Sequence, residues 1–158
     1  MFCRRAVLIF EEDTAVLPEA KPLMLEAIRS RPILSWMCGQ LQADGIQRFF
    51  AVCGPRFADE VRKILLPEAE VSEQWRDLEA FLDTEEPVLV FPRAAFPLAE
   101  AGAGFVYAAP GRDLRDLWRV RMTNAVQGAE LVSGWLPVYG PDTLEELETL
   151  MHSREPQD

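Results

Sequence analysis

The sequence predicts an α/β fold, in which a mostly parallel β-sheet carries helices on both faces and so forms three layers. Three short apolar runs have the character of buried strands, namely residues 5–10, 47–53 and 87–91. Segments with the 3.6-residue periodicity of helices separate these runs along the chain. Such alternation is typical of parallel sheets, and 158 residues predict one domain spanning 1–158.

The helices are predicted from the spacing of apolar residues and from their end signals. Pro32 suits a first helical turn, and an apolar stripe runs from Leu34 to Leu41 before Gly45 ends the helix. In the last helix Asp142 or Thr143 can act as the N-cap. The remaining predicted elements are helices over 57–66, 73–82, 113–130 and about 142–152, and strands over 104–109 and 135–139.

The charge of the chain excludes several classes of partner. It carries 26 acidic against 16 basic side chains, a net charge of −10. Binding to nucleic acid or to an anionic membrane surface needs clustered positive charge, so we expect neither. No apolar run approaches the ~20 residues of a membrane-spanning helix. The first apolar run stops at Glu11, too early for a signal peptide, which predicts a cytoplasmic protein.

The cysteines and the single histidine do not indicate a disulfide framework, a metal site or a catalytic site. Cys3, Cys38 and Cys53 are widely and irregularly spaced, unlike a disulfide framework or a metal motif. The last two lie among apolar residues, which predicts buried, inert thiols. His152 stands in the polar C-terminal region, and a histidine-based zinc site would need more ligands than the chain supplies.

In a parallel sheet, ligands bind beyond the carboxyl ends of the strands. The loops expected at that edge are 11–22, 54–56, 92–97 and 110–112. They contain the candidate ligand-binding residues Glu11, Glu12, Asp13, Thr14, Lys21, Gly54, Arg93 and Arg112. No catalytic residue and no metal ligand is assigned.

Each group of candidates has a functional and a structural interpretation. Carboxylates at Glu11, Glu12 and Asp13 would suit a hard cation, but a solvated acidic loop is favoured because no later loop places a further carboxylate there. Arg93 and Arg112 would suit a phosphate, or would be surface arginines that pair with the acidic loop. The four tryptophans could stack on a base, although core or interface positions are favoured for Trp36, Trp75, Trp118 and Trp135.

A series of short motifs resembles the sugar-1-phosphate nucleotidyltransferases, most closely the uridylyltransferase domain that makes UDP-N-acetylglucosamine in bacteria. The family pattern of strand, proline, G-K-P, helix-ending glycine and V-x-G falls on Ala6–Leu8, Pro22, Ser30-Arg31-Pro32, Gly45 and Val52-Cys53-Gly54. Pro87–Phe91 resembles the strand before the family's metal-binding aspartate, and residues 134–141 resemble the linker after the catalytic domain. The resemblance implies a Rossmann-like, nucleotide-diphospho-sugar transferase-like fold in truncated form.

The functional positions of this pattern differ from the family. Its loop glycines fall on Glu12 and Thr14 and its lysine on Leu23, with Lys21 as the nearest substitute. Pro92-Arg93 replaces the metal-binding aspartate, and the asparagine motif retains only its arginine, at Arg112. Only 18 positions separate Arg93 from Gly111, an interval that holds most of the acceptor-sugar site in the family.

The leading hypothesis is a catalytically degenerate nucleotidyltransferase-like protein that acts as a binding or interaction module, with an unknown protein or small ligand as its partner and no cofactor. The alternative is an active nucleotidyltransferase with a rebuilt site, which would convert an NTP and a sugar 1-phosphate, or another small phosphate, to an NDP-sugar and pyrophosphate. That enzyme would need Mg²⁺. A homodimer through an exposed apolar patch, with Trp118 or Trp135 between the chains, is a third possibility.

Overall fold

The computed structural model describes residues 3–10, 21–65, 69–82, 86–101, 107–110 and 130–154. The strands in this part of the chain are β1 (Arg5–Ile9), β2 (Ala27–Ile28), β3 (Arg31–Pro32), β4 (Arg48–Val52), β5 (Glu70–Ser72), β6 (Pro87–Phe91), β7 (Ala95–Pro97), β8 (Tyr107–Pro110), β9 (Glu130–Leu131) and β10 (Trp135–Pro137). The α-helices are α1 (Ile33–Ala43), α2 (Pro55–Ile64), α3 (Trp75–Phe81) and α4 (Pro141–Ser153). A short 3₁₀ turn lies at Leu23–Leu25.

The main sheet has the strand order β5-β4-β1-β6-β8-β9. Its first four strands are parallel, while β8 runs antiparallel to β6, and β9 antiparallel to β8. Strand β1 is central, so that Ala6 faces Phe49 of β4 on one side and Leu89 of β6 on the other. Two small antiparallel pairs, β2–β3 and β7–β10, lie outside this sheet.

Two apolar clusters receive alternate residues of the central strands, because successive side chains of a strand point to opposite faces. Ala6 and Leu8 belong to the larger cluster, together with residues of α1, α2 and α4. Val7 and Ile9 belong to the second cluster, together with Leu78 and Phe81. Trp135 is buried in the larger cluster, with its ring centroid 4.9 Å from that of Phe91.

The α/β class and the parallel arrangement of the first four strands are confirmed. The apolar runs predicted as strands at 5–10, 47–53 and 87–91 form β1, β4 and β6. The first three residues of the short strand predicted at 135–139 form β10. The predicted helices after Pro32 and over 57–66, 73–82 and about 142–152 correspond to α1 to α4, within two residues at each end. The predicted helix over 113–130 lies outside the described residues, apart from its last position.

Some local details differ from the sequence predictions. The N-cap of α4 is Gly140, and Asp142 lies within the first turn, so the cap assigned to Asp142 or Thr143 was wrong. A proline at the first helical position explains this start, since its missing N–H costs no intrahelical bond there. Strand β7 occupies the end of the predicted loop 92–97, because Ala95–Pro97 pairs with β10 far along the chain.

Arg5 is a charged residue buried within the central strand, with 4% of its surface exposed. Its guanidinium donates hydrogen bonds to the carbonyl oxygens of Phe81 and Glu86. The Phe81 carbonyl belongs to the last turn of α3, which carries partial negative charge and lacks an intrahelical donor. Arg5 therefore anchors the C-terminal end of α3 to β1.

Replacement of Arg5 with methionine should lower the free energy of unfolding by about 2–4 kcal/mol, because two carbonyl groups would lose their donor in a largely buried place. Urea denaturation followed by circular dichroism measures this change. Arg76→Met, an exposed position on the same helix, is the matched control and should change stability by less than about 0.5 kcal/mol. Equal effects of the two substitutions would contradict the anchoring role of Arg5.

The turn between β2 and β3 places two residues other than glycine in the left-handed region. Arg29 has φ 54° and Ser30 has φ 65°, values that favour glycine, asparagine or aspartate in a two-residue hairpin turn. The backbone N–H of Arg29 donates to the Glu148 carboxylate of α4 at 2.5 Å. Helix α4 thus helps to hold this turn, although arginine and serine disfavour its left-handed backbone conformation.

Ser30→Gly should raise the free energy of unfolding by about 0.5–1 kcal/mol, because relief of the left-handed strain exceeds the added entropy of the unfolded chain. Ser30→Ala is the matched control, since it also removes the hydroxyl but keeps the strained φ, and it should not stabilise. Thermal denaturation compares the three proteins. Stabilisation by alanine equal to that by glycine would show that the hydroxyl, and not the backbone, matters.

Candidate functional site

The carboxyl ends of β1, β4, β5 and β6 form the edge at which a ligand site was expected. The residues that follow β1 and β4, and the last residue of β5, are hydrogen-bonded to neighbours. The N–H of Phe10 donates to Val52 O at 3.0 Å, and the N–H of Cys53 donates to Ser72 O at 3.3 Å. The Ser72 hydroxyl donates to Asp77 Oδ2 at 2.6 Å. These hydrogen-bonding groups at the edge are therefore already paired within the protein.

Of the eight candidate residues, the structure describes three. Glu11, Glu12, Asp13, Thr14 and Arg112 lie outside the described residues. Gly54 follows β4 and Arg93 follows β6, and these strands flank β1, so both residues lie at the expected edge. Lys21 is linked to the helix that Gly54 precedes, as described next.

Lys21 is exposed and forms an ion pair with Glu60 of α2, with Nζ 3.4 Å from Oε1. The two side chains are 46% and 45% exposed, so the pair contributes less than about 1 kcal/mol. This ion pair ties the segment that precedes the 3₁₀ turn to the face of α2. The sequence had offered Lys21 as a substitute for a phosphate-binding lysine, and the structure gives it a carboxylate neighbour.

Gly54 is the N-cap of α2, with φ −67° and ψ 162°. This is extended backbone that any residue adopts, so the position does not require glycine for its conformation. A Cβ at Gly54 would stand 3.5 Å from Glu73 Oε2, at ordinary contact distance. A carboxylate therefore already lies beside the N-terminus of α2, where the helix dipole would otherwise favour an anionic ligand.

Cys53 lies at the same edge and is 4% exposed. Burial, followed by the nearby Glu73 carboxylate, raises the pKa of its thiol to about 11, while Arg62 opposes the shift. Burial likewise raises the pKa values of Cys3 and Cys38. All three cysteines are buried, as predicted for Cys38 and Cys53, and at neutral pH they are protonated thiols and weak nucleophiles.

Arg93 is half-buried immediately after β6, and its guanidinium carbon lies 4.6 Å from the ring centroid of Tyr139. Tyr139 is 54% exposed and precedes α4. The contact has the geometry of a cation–π interaction, which contributes roughly 0.5–1 kcal/mol at an exposed site. Arg93 thus joins the carboxyl end of β6 to the segment between β10 and α4.

A separate groove, which the sequence analysis did not identify, lies between α1, the segment around β7 and the end of α4. Its volume is about 530 Å³, and its lining includes Arg31, Trp36, Phe96, Glu100, Met151 and Arg154. The Trp36 and Phe96 ring centroids are 5.2 Å apart. Arg154 Nη2 lies 2.7 Å from Glu100 Oε1 at the rim.

The signal for this groove in the sequence was weak. Ser35 and Gly39 lie four residues apart on α1, and Arg31 lies four residues before Ser35, but only the fold brings Phe96 and Met151 near them. Trp36 was predicted to be a core or interface residue, and it is half-buried with its indole N–H donating to Ile28 O at 3.0 Å.

Within the described ranges, no three histidine, cysteine, aspartate or glutamate side chains are grouped so that they could hold a metal ion. None of the helices in those ranges is both long and apolar enough to cross a membrane. Cytoplasmic location and single-domain organisation stay predictions.

The chain matches no protein-family model, and no curated protein matches it. The resemblance to nucleotidyltransferases therefore rests on the motifs of the sequence alone.

Iodoacetamide should modify Cys53 of the folded protein at pH 8 at least a hundredfold more slowly than in 6 M guanidinium chloride, because a pKa of about 11 leaves few thiolates. Peptide mass spectrometry measures the rate. Glu73→Gln should lower the pH at which modification becomes fast, since it removes a negative charge, whereas Arg62→Gln should raise it. Fast modification of the folded wild type would contradict the buried thiol.

Proposed function

We propose that the chain is a catalytically degenerate nucleotidyltransferase-like domain that acts as a binding or interaction module without a cofactor. The proposal includes a Rossmann-like three-layer fold, truncated relative to the family. The first strand lies at the centre, with β4 and β5 on one side and β6 on the other. This arrangement is compatible with a mononucleotide-binding half of a doubly wound fold. Apolar clusters with helices on each side of the sheet support the layers.

The observation that carries the proposal is the structure immediately after β6. The resemblance aligns the family's metal-binding aspartate with this point, and here the chain has a buried proline, Pro92. A proline side chain offers no oxygen to Mg²⁺. The next side chain, Arg93, is directed onto the ring of Tyr139. Pro92 and Arg93 therefore contribute to packing. A domain that had lost its catalytic activity would keep such packing contacts and lose its metal ligands.

The charges near α2 support the same proposal. The Glu73 carboxylate lies beside the helix N-terminus, and Lys21 is paired with Glu60. A triphosphate that approached this helix would meet the Glu73 carboxylate first. Like charges in proximity cost on the order of 1 kcal/mol in a water-like dielectric, and more where solvent is excluded.

Calorimetric titration with UTP, GTP, CTP and ATP, each with Mg²⁺, tests the proposal. We expect no binding of any nucleotide up to millimolar concentration, because the described edge offers no metal-binding carboxylate after β6 and places Glu73 beside α2. A nucleotidyltransferase of known activity, titrated under the same conditions, is the positive control.

Micromolar binding that is lost in Arg93→Ala would contradict the proposal and favour the enzyme with a rebuilt site. In that case, release of pyrophosphate in the presence of sugar 1-phosphates would identify the acceptor. Binding that persists in Arg93→Ala would also contradict it, since the nucleotide would then use residues other than those after β6.

A further inference from the structure

The groove between α1, β7 and α4 contains an arginine that the fold holds in one position. Arg31 Nε donates to the Ser35 hydroxyl at 3.0 Å, and Arg31 Nη2 donates to the Ser35 carbonyl at 3.0 Å. The guanidinium carbon lies 4.6 Å from the ring centroid of Trp36. A flexible side chain on the surface would lose much of its rotamer entropy on binding a ligand, and these contacts already restrain Arg31.

Gly39 provides the space in which this guanidinium lies. A Cβ at Gly39 would stand 3.0 Å from Arg31 Nη2, which is a tight contact that a shift of a few tenths of an ångström would relieve. A glycine inside a helix is less favourable than an alanine. Helix α1 therefore has a glycine at the place where an added Cβ would shift the guanidinium of Arg31.

The charge around Arg31 differs from that of the chain as a whole. The chain carries a net charge of −10, whereas the charged residues that line the groove are two arginines and one glutamate. Glu100 is paired with Arg154. Among the described residues, no carboxylate lies within ion-pair distance of Arg31, and its Nη1 group makes no hydrogen bond. Arg31 lines the groove, and its two hydrogen bonds engage Nε and Nη2, which leaves Nη1 available to an anionic ligand.

The rest of the groove is apolar. Phe96, Pro97, Leu98 and Met151 contribute to its lining, together with Trp36. The rings of Trp36 and Phe96 contact each other, and Trp36 also contacts Arg31, so these rings serve as a wall. An arginine fixed against a tryptophan within an apolar surround is the composition found at energetic centres of protein–protein interfaces.

We propose that this groove binds an acidic peptide segment of a partner protein, with one carboxylate on Arg31 and a neighbouring aliphatic side chain against Leu98 and Met151. The end-on fork of Nη1 and Nη2 matches a carboxylate in a two-point contact. A simple anion would contact only Arg31, whereas a peptide would also contact the apolar residues of the groove. The net negative charge elsewhere is screened beyond about 8 Å at physiological salt, so the charges within the groove decide the contact.

This inference rests on the proposed function in treating the chain as an interaction module, but its residues lie outside the edge considered for nucleotides. The two proposals can therefore fail separately. Arg31-dependent peptide binding together with nucleotide turnover would contradict the proposed function alone. Absence of both would contradict the groove alone.

The test selects binders to the full chain from a displayed library of random dodecapeptides, after depletion on Arg31→Met. Peptides recovered in this way are synthesised with a fluorophore, and their affinities are measured by fluorescence polarisation. We expect an aspartate or glutamate beside an aliphatic residue, and at least a tenfold loss of affinity when that carboxylate is changed to its amide. Arg31→Met should weaken binding at least tenfold, and Gly39→Ala, which shifts the guanidinium by a few tenths of an ångström, should weaken it by a smaller factor.

Arg48→Gln is the matched control, because Arg48 is also exposed but pairs with Glu70 at a different place on the sheet. It should leave affinity within twofold of the wild type. Circular dichroism establishes that each variant is folded, and Gly39→Ala should preserve helix α1 because alanine favours helices.

Three outcomes would overturn the proposal. Peptides that bind Arg31→Met as tightly as the wild type would place the contact elsewhere. Complete competition by millimolar sodium butyrate would show that a small anion is sufficient. Concentration-dependent dimerisation that is abolished by Arg31→Met, measured by sedimentation, would assign the groove to a second copy of the chain.

Discussion

The central strand β1 is enclosed by protein on every side, and the described structure depends on that enclosure. Its backbone pairs with β4 and β6, and each of its five side chains is less than 5% exposed. A strand buried on both faces must have side chains that suit two different apolar clusters. Ala6 and Leu8 face one cluster and Val7 and Ile9 the other, so a shift of one residue in register would exchange both sets.

Arg5 is the exception in this apolar strand, and it shows how the fold accommodates a buried charge. Carbonyl groups at the end of α3 and in the segment before β6 surround the guanidinium, and the Phe81 ring lies 5.6 Å away. Arg48 of β4 approaches the same ring at 5.2 Å. Phe81 thus contacts side chains of two neighbouring strands. These contacts help to hold α3 on the sheet, since a helix of seven residues is too short to be stable alone.

The two candidate surfaces of the molecule differ in what the fold has done with their polar groups. At the carboxyl edge of the sheet, Arg93 and Ser72 contact other side chains of the protein, and Lys21 is paired with Glu60 of α2. In the groove beside α1, Arg31 is hydrogen-bonded to Ser35, and among the described residues its guanidinium has no carboxylate partner. Both features are consistent with the proposal of an interaction module.

The sequence by itself determined the α/β class, the buried strands β1, β4 and β6, and the helices α1 to α4. These elements follow from local periodicity and from end signals such as Pro32 and Gly45, which act within a few residues. The strand at β10 was predicted, but its pairing with β7 and the small pair β2–β3 could not be foreseen, because strands of two or three residues carry little periodicity and form only where a partner is present. The candidate sites also differ in how far local sequence signals could locate them. Gly54 and Arg93 were located because strand ends converge at one edge, whereas the groove at Arg31 arises from three segments that only the tertiary structure brings together.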